Sequence, residues 1–314
     1  MCSGGARKAP GPATNKVVRT ALCRTGLAVL AGLVLESSAA AHSVATVDAG
    51  RGPVTLMVPD GYSAEQSVPL VVALHGFGGD GRSYVQYWTR NGQVDKRGFI
   101  MAAPTGSTDS RGRAFWNASA ACCNKDQRDV DDSRYLRRLI ETIEQRFSID
   151  PTMIHITGYS NGGFMAYRMA CDHADKVSSI VSVAGAGVVD EAVCKPSSSV
   201  SVLQVHGLED AVIRYHGGDT KNYDSPERLP YPSALETVAF WGRHNGARPE
   251  AVAGPTRDFS DRATGDETRS IRFVGGAAAA ELWSMAGEGH VPRLSDAFHA
   301  AATDWMLSHR KASD

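Results

Sequence analysis

The sequence of 314 residues lacks an excess of charge of one sign and lacks long apolar runs. Its 33 basic and 34 acidic residues leave a formal net charge of -1, and no stretch reaches the roughly 18 apolar residues that a membrane span needs. We therefore expect neither a nucleic-acid partner nor a membrane span. Hydrophobic residues make up 42% of the chain, which excludes a disordered protein and provides for a sizeable core.

The first 41 residues are typical of an export signal. Five basic residues precede an apolar run at residues 27–35, and small residues at 37–41 offer a cleavage site after Ala41, before His42. We expect a secreted protein, extracellular or periplasmic, whose mature part is one domain at residues 42–314. An uncleaved amphipathic or anchoring segment is the alternative.

Cysteine is scarce, and its spacing does not suit a metal. Two of the six cysteines lie in the leader, and the other four lack the paired spacing or histidine partners of a zinc site. An even number of cysteines in an exported chain predicts disulfides and no metal. Three pairings are open for these residues: Cys122, Cys123, Cys171 and Cys194.

Short apolar segments alternate with helical patterns along the mature chain. We predict strands at residues 54–58, 69–74, 99–103, 153–157, 180–183, 200–205 and 279–285, and helices at 130–147, 164–170 and the C-terminus. Strands separated by helices predict an α/β fold with a mainly parallel central sheet between two layers of helices. Residues 217–233 are expected to be a surface excursion, and residues 247–270 a loop or exposed hairpin.

Acidic residues begin the predicted helix at 130–147. Asp131 or Asp132 is expected to cap the helix and to complement its dipole. Calcium binding by these two residues and Asp129 is a weaker alternative, because the EF-hand spacing is absent.

The pentapeptide Gly-Tyr-Ser-Asn-Gly at residues 158–162 lies between a predicted strand and a predicted helix. This is the context of a G-x-S-x-G nucleophile elbow, in which glycines flank a strained turn that exposes the serine hydroxyl. The pattern predicts Ser160 as a nucleophile.

A serine nucleophile needs an imidazole base supported by a carboxylate. In hydrolases of this type the chain order is Ser, then Asp or Glu, then His. Asp210 and His290 each follow a predicted strand in that order, and Glu209 is the main competitor of Asp210. Four other histidines are expected to be packed or solvated: His155 inside a strand, His173 past the nucleophile helix, and His299 and His309 in the terminal helix.

The oxyanion of acyl transfer needs preorganised N–H donors. The backbone N–H of Asn161 is one candidate, because it directly follows the nucleophile. The other is Phe77, in a His-Gly-Phe-Gly-Gly loop after the early buried strand, with Gly76 or Gly78 as alternatives. A phosphate-binding role for this loop is not favoured, because no Walker lysine or G-x-G-x-x-G spacing is present.

Together these segments resemble secreted α/β-hydrolases of the polyhydroxybutyrate depolymerase family, which is similar to feruloyl and acetyl xylan esterases. The landmarks are residues 69–76, Trp116-Asn117-Ala118 with Cys122-Cys123, residues 130–132, 158–163 and 205–207. The resemblance implies the triad Ser160, Asp210 and His290, no cofactor, and an active site bordered by Trp116. We predict substrate binding by His75, Trp116 and Tyr159, and a monomer.

Two departures from the family pattern stand out. Val-Pro-Arg-Leu follows His290 where members commonly have Thr-Trp-Pro-Gly, which removes an aromatic wall beside the histidine. Ala247 replaces a frequent cysteine, which implies one disulfide fewer or a different pairing. The sequence shows no linker or polymer-binding domain after His290, so we expect a soluble ester or oligomer as substrate.

The predicted function is a serine carboxylic-ester hydrolase that works through an acyl-enzyme. Feruloyl-type aromatic or carbohydrate esters would need an aromatic slot, and hydroxyalkanoate esters would need a narrow apolar groove. An acyltransferase or serine peptidase on the same fold is an alternative, since a catalytic triad does not determine which bond is cleaved or which molecule accepts the acyl group. A secreted binding protein on an inactive hydrolase scaffold is the alternative from another class.

Overall fold

A ten-stranded sheet forms the centre of the protein, seen in a computed structural model that describes residues 43–90, 92–221 and 228–312. Within these residues the chain forms the strands β1 Ser43–Asp48, β2 Pro53–Val58, β3 Val68–Leu74, β4 Ile100–Ala103, β5 Ser107–Thr108, β6 Ala114–Phe115, β7 Ile149–Tyr159, β8 Ser179–Val183, β9 Ser201–Gly207, β10 Gly218–Lys221, β11 Arg228–Tyr231, β12 Ala251–Arg257, β13 Thr268–Phe273 and β14 Ala280–Met285. The helices are α1 Gly81–Thr89, α2 Gln93–Arg97, α3 Asp132–Glu144, α4 Asn161–Asp172, α5 Ala234–His244 and α6 Asp296–Leu307.

The middle of the sheet is parallel and its two edges are antiparallel. The spatial order is β1-β2-β4-β3-β7-β8-β9-β14-β13-β12, and every neighbouring pair from β4 to β14 is parallel. The middle strands are buried on both faces, which accounts for their nearly continuous apolar sequence. The predicted mainly parallel α/β fold is confirmed.

Alternate residues of each central strand face opposite helical layers. In β3, Leu70 and Val72 pack with the core under α3, α4 and α5, whereas Val71 and Ala73 pack with α1, α2 and α6. This period of two is what a strand between two layers requires. The helices therefore cover both faces of the sheet, as predicted.

The edges of the sheet show features that the sequence left open or did not indicate. Of the two alternatives for residues 247–270, the structure has the exposed hairpin: β12 and β13 pair antiparallel and extend the sheet beyond β14. The excursion at residues 217–233 holds the two-stranded β10–β11 sheet. Helix α6 ends before His309, which was expected inside it.

The four cysteines in the described residues form two disulfides. One joins the adjacent Cys122 and Cys123, and the other joins Cys171 at the end of α4 to Cys194 in the segment before β9. Asp131 caps α3 by accepting a hydrogen bond from the Arg134 N–H at 2.9 Å. The part of the chain that the structure describes holds no cluster of three or more residues suited to a metal ion.

Removing the longer disulfide should lower stability. It closes a loop with a sequence separation of 23, so we expect the Cys171→Ala/Cys194→Ala variant to lose about 3 kcal/mol of unfolding free energy. Urea denaturation followed by circular dichroism measures the loss. An unchanged midpoint would show that this bond does not restrain the unfolded chain.

Residues Ala40–Asp314 form one compact unit. The predicted export signal at residues 1–41 lies outside the described residues. Among the residues that are described, no helix is long and apolar enough to cross a membrane.

Candidate functional site

Ser160 lies at a sharp turn between β7 and α4. Its backbone has φ 52° and ψ -117°, and a positive φ is uncommon for a residue with a side chain. Two glycines make the turn possible: a Cβ at Gly158 would lie 2.1 Å from the Gly162 carbonyl oxygen, and one at Gly162 would lie 2.1 Å from the Leu74 carbonyl oxygen. The local geometry is that of the predicted elbow.

The structure brings Ser160, His290 and Asp210 together in one line of hydrogen bonds. Ser160 Oγ lies 2.9 Å from His290 Nε2, and His290 Nδ1 lies 2.8 Å from Asp210 Oδ2. Because a carboxylate only accepts hydrogen bonds, the His290 proton belongs on Nδ1, and Nε2 is free to accept the serine proton. Glu209, the competing carboxylate, is exposed, whereas Asp210 is buried.

The Asp210 carboxylate faces four N–H groups. Oδ1 accepts hydrogen bonds from the Val212 and Ile213 backbone at 2.8 and 2.9 Å, while Oδ2 faces His290 Nδ1 and lies 3.3 Å from His206 Nε2. Burial opposes ionisation, but the hydrogen bonds from His206 and His290 outweigh it and hold the pKa of Asp210 well below its usual range. The carboxylate therefore stays ionised at neutral pH.

The backbone N–H groups of Phe77 and Asn161 have no hydrogen-bond acceptor among the described residues. Asn161 is the first residue of α4, where the helix dipole favours negative charge. Free amides at these positions suit an oxyanion.

His75 is buried, and its side chain forms hydrogen bonds that hold the loop containing Phe77. Its side chain is 1% exposed; Nδ1 donates to the Gly76 carbonyl at 2.7 Å and Nε2 accepts from the Gly106 N–H at 2.9 Å. Burial lowers the pKa of His75, in keeping with this neutral tautomer. The prediction that His75 binds substrate is wrong, because no surface of the imidazole is left for a ligand.

Trp116 is also buried, and it joins the loop to the start of α4. Its side chain is fully covered, and Nε1 donates to the His75 carbonyl at 3.0 Å. The Asn161 side chain pairs with the Trp116 backbone, accepting from its N–H at 2.7 Å and donating to its carbonyl at 2.8 Å. The predicted substrate contact of Trp116 is therefore corrected to a supporting contact behind the two free amides.

Tyr159 lies beside His290. Its hydroxyl donates to the His290 backbone carbonyl at 2.9 Å, and the two rings are 5.4 Å apart between centroids. Partly exposed, Tyr159 also lines a cavity of about 220 Å³. The other walls of this cavity, called here the aromatic cavity, are Tyr84, Tyr87, Trp88, Val183, Val291, Pro292 and Leu294.

A larger groove of about 700 Å³ follows the side of α4 from Phe164 to Asp172. Its other sides are formed by residues 118–121, by the segment that contains Cys194 and by the chain around Tyr231. Phe164 is one helical turn beyond Ser160, so this groove begins near the nucleophile.

Two residues of the site were not predicted. His206 contacts the carboxylate of Asp210. Glu288 is fully buried, and its carboxylate accepts a hydrogen bond from the Ser260 hydroxyl. This bond anchors the turn before His290. Both stand two to four residues from a triad member, but a single sequence does not show which way their side chains point.

The fold is that of the α/β-hydrolase class. A family model described as Phospholipase/Carboxylesterase matches residues 62–223, more than half of the chain. The chain belongs to this family.

Individual relatives are distant. "Feruloyl esterase B" of Piromyces equi is 26% identical over 244 residues, 76% of this chain and 42% of that relative, so the chain spans about two fifths of its length. "Putative esterase NocK" of Nocardia uniformis subsp. tsuyamanensis is 26% identical over 269 residues, 81% of this chain and 77% of that relative. The solved acetyl xylan esterase from Aspergillus awamori is similar in fold, with a TM-score of 0.59 and 17% identity over 84% of this chain and 98% of its own.

Proposed function

We propose that the protein hydrolyses carboxylic esters through an acyl-enzyme on Ser160. The observation that carries this proposal is the hydrogen-bonded line from Ser160 Oγ through His290 to the ionised Asp210. Activity-based labelling with a serine-directed phosphonate tests it, with turnover of a simple aryl ester measured in parallel.

Each step uses a group already in place. Ser160 Oγ attacks the ester carbonyl while its proton moves to His290 Nε2, and the Phe77 and Asn161 amides stabilise the oxyanion. His290 then returns the proton to the leaving alcohol. Water, deprotonated by His290, attacks the acyl group and releases the acid, and Ser160 regains its proton. Asp210 stabilises the imidazolium in both halves of the reaction.

For the acyl group we propose an aromatic ring of the feruloyl type. The aromatic cavity meets the site through Tyr159 and Val291, the chain neighbours of Ser160 and His290. A cavity of roughly 150 Å³ holds benzene, so about 220 Å³ accommodates a ring with small substituents. Tyr84, Tyr87 and Trp88 supply aromatic surface that the sequence after His290 lacks. Hydroxyalkanoate oligomers, the substrates of the resembled depolymerase family, are the competing class.

Comparison of methyl ferulate with hydroxybutyrate oligomers distinguishes these classes. We expect the higher kcat/KM for methyl ferulate. Val291→Trp should then lower kcat/KM for methyl ferulate about tenfold by filling the cavity mouth, with little effect on a short acetate ester.

A matched control is available in the large groove. Val193 and Val291 are both 67% exposed, so Val193→Trp adds the same bulk away from the aromatic cavity. It should leave both activities unchanged. A preference for hydroxybutyrate oligomers, or equal effects of the two tryptophans, would reject the aromatic assignment.

Product analysis addresses the alternative reactions. Transfer of the acyl group to an added alcohol in preference to water would indicate an acyltransferase, and cleavage of peptides would indicate a peptidase. Absence of both turnover and labelling would support an inactive binding protein.

We also infer export of the protein. The leader at residues 1–41 and the presence of two disulfides support it, since disulfides persist in oxidising compartments. On this proposal the mature chain begins at His42.

A further inference from the structure

His206 ends a chain of buried hydrogen bonds that runs from α4 to the candidate triad. The Tyr167 hydroxyl donates to Gln204 Oε1 at 3.0 Å. Gln204 Nε2 donates to the Gly185 carbonyl at 2.8 Å and lies 3.0 Å from His206 Nδ1. His206 Nε2 in turn lies 2.7 Å from the Ile213 carbonyl oxygen.

This chain determines the tautomer of His206. The Gly185 carbonyl only accepts, so the amide nitrogen of Gln204 must face it, and the second amide hydrogen points at His206 Nδ1. Nδ1 is therefore an acceptor, and the ring proton is on Nε2. From there it donates to Ile213 and also faces Asp210 Oδ2 at 3.3 Å.

The turn that carries Asp210 is closed by this imidazole. Asp210 accepts hydrogen bonds from the backbone N–H groups of Val212 and Ile213, and His206 donates to the Ile213 carbonyl. His206 and Asp210 are 2% and 5% exposed, so water does not compete for these contacts.

We propose that His206 is a positioning residue for the esterase reaction: its Nε2–H holds the turn at residues 210–213 so that the carboxylate of Asp210 faces His290. This inference rests on the proposed function. It predicts an effect on the chemical step rather than on substrate binding, because His206 lines neither cavity.

Two substitutions at this position test the role. His206→Leu keeps the bulk but has no hydrogen-bonding group, and we expect kcat to fall about 10- to 100-fold with little change in KM. His206→Gln offers one acceptor and one donor, as the imidazole does, and should recover most of the lost rate. The low-field proton NMR resonance of His290 Nδ1–H, which reports its bond to Asp210, should weaken in His206→Leu and persist in His206→Gln.

His155 provides the matched control. It is a fully buried histidine on β7 that contacts Ser179 and no residue of the triad. His155→Leu should therefore preserve kcat and the low-field resonance. Gln204→Met, which removes the donor to His206 Nδ1, should also lower kcat. It replaces His206→Leu as the test if that variant does not fold.

Three results would overturn the role. They are a wild-type kcat in His206→Leu, equal losses in His206→Leu and His206→Gln, or the same loss in His155→Leu. Retained ester hydrolysis in Ser160→Ala would instead reject the proposed function, so the two failures are distinguishable.

Discussion

Replacing Ser160 with alanine is expected to abolish ester hydrolysis, with kcat lowered about 10⁶-fold. The variant lacks the oxygen that forms the acyl bond, so His290 has no proton to accept. The fold should be unaffected, because alanine is no larger than serine at the strained turn.

Covalent labelling gives a second readout of the same substitution. In the unmodified protein a phosphonate should add to Ser160 Oγ with loss of its leaving group, shifting the mass of the peptide that carries Ser160. Ser182→Ala is the control, because Ser182 is a buried serine on β8 whose hydroxyl has no hydrogen-bond partner within the described residues. Labelling or turnover that persists in Ser160→Ala would disprove the nucleophile assignment.

The second large effect is expected from Asp210→Asn, which should lower kcat about 10⁴-fold. The structure dictates how the asparagine would sit. Its amide oxygen must take the Oδ1 position, where two backbone N–H groups point at it, so its NH₂ group would face His290 Nδ1. That contact favours the wrong tautomer, with the proton on Nε2, and His290 could no longer accept the serine proton.

Steady-state kinetics on an aryl ester measure this effect, with Glu209→Gln as the control. Glu209 is the adjacent exposed carboxylate and should be dispensable. Comparable losses of kcat in the two variants would mean that negative charge in this segment matters, rather than the hydrogen bond between Asp210 and His290.

The lowered pKa of Asp210 also has a pH consequence. Because its pKa is depressed in the folded state, the carboxylate contributes stability at pH values above the ordinary carboxyl range, and this contribution disappears as pH falls through the lowered folded value.

Local steric requirements made the elbow predictable from sequence. The clashes that a Cβ would cause at Gly158 and Gly162 restrict those positions to glycine, and this restriction is visible in one pentapeptide. Asp210 and His290 could be predicted because parallel strands end at one edge of a sheet, so residues directly after β9 and β14 meet.

Side-chain direction was not predictable in the same way. His75 and Trp116 stand next to the site in sequence, yet both point into the protein, where they support the free amides. The edge strand β1 is mostly exposed and carries no strong apolar alternation, so pattern alone did not reveal it, and for the same reason a loop and a hairpin could not be distinguished at β12. Likewise, the pairing of the cysteines depends on how the segment before β9 returns to α4.

The hydrogen bonds of the site join residues far apart in the chain. Ser160 and His290 are separated by 130 residues, and Asp210 and His290 by 80. Such non-local contacts form late, because the intervening chain must first lose its conformational freedom. A nascent chain ending before β14 would have the nucleophile but no base. On the proposed mechanism, ester turnover therefore reports assembly of the sheet from β7 to β14, because all three side chains must be in place.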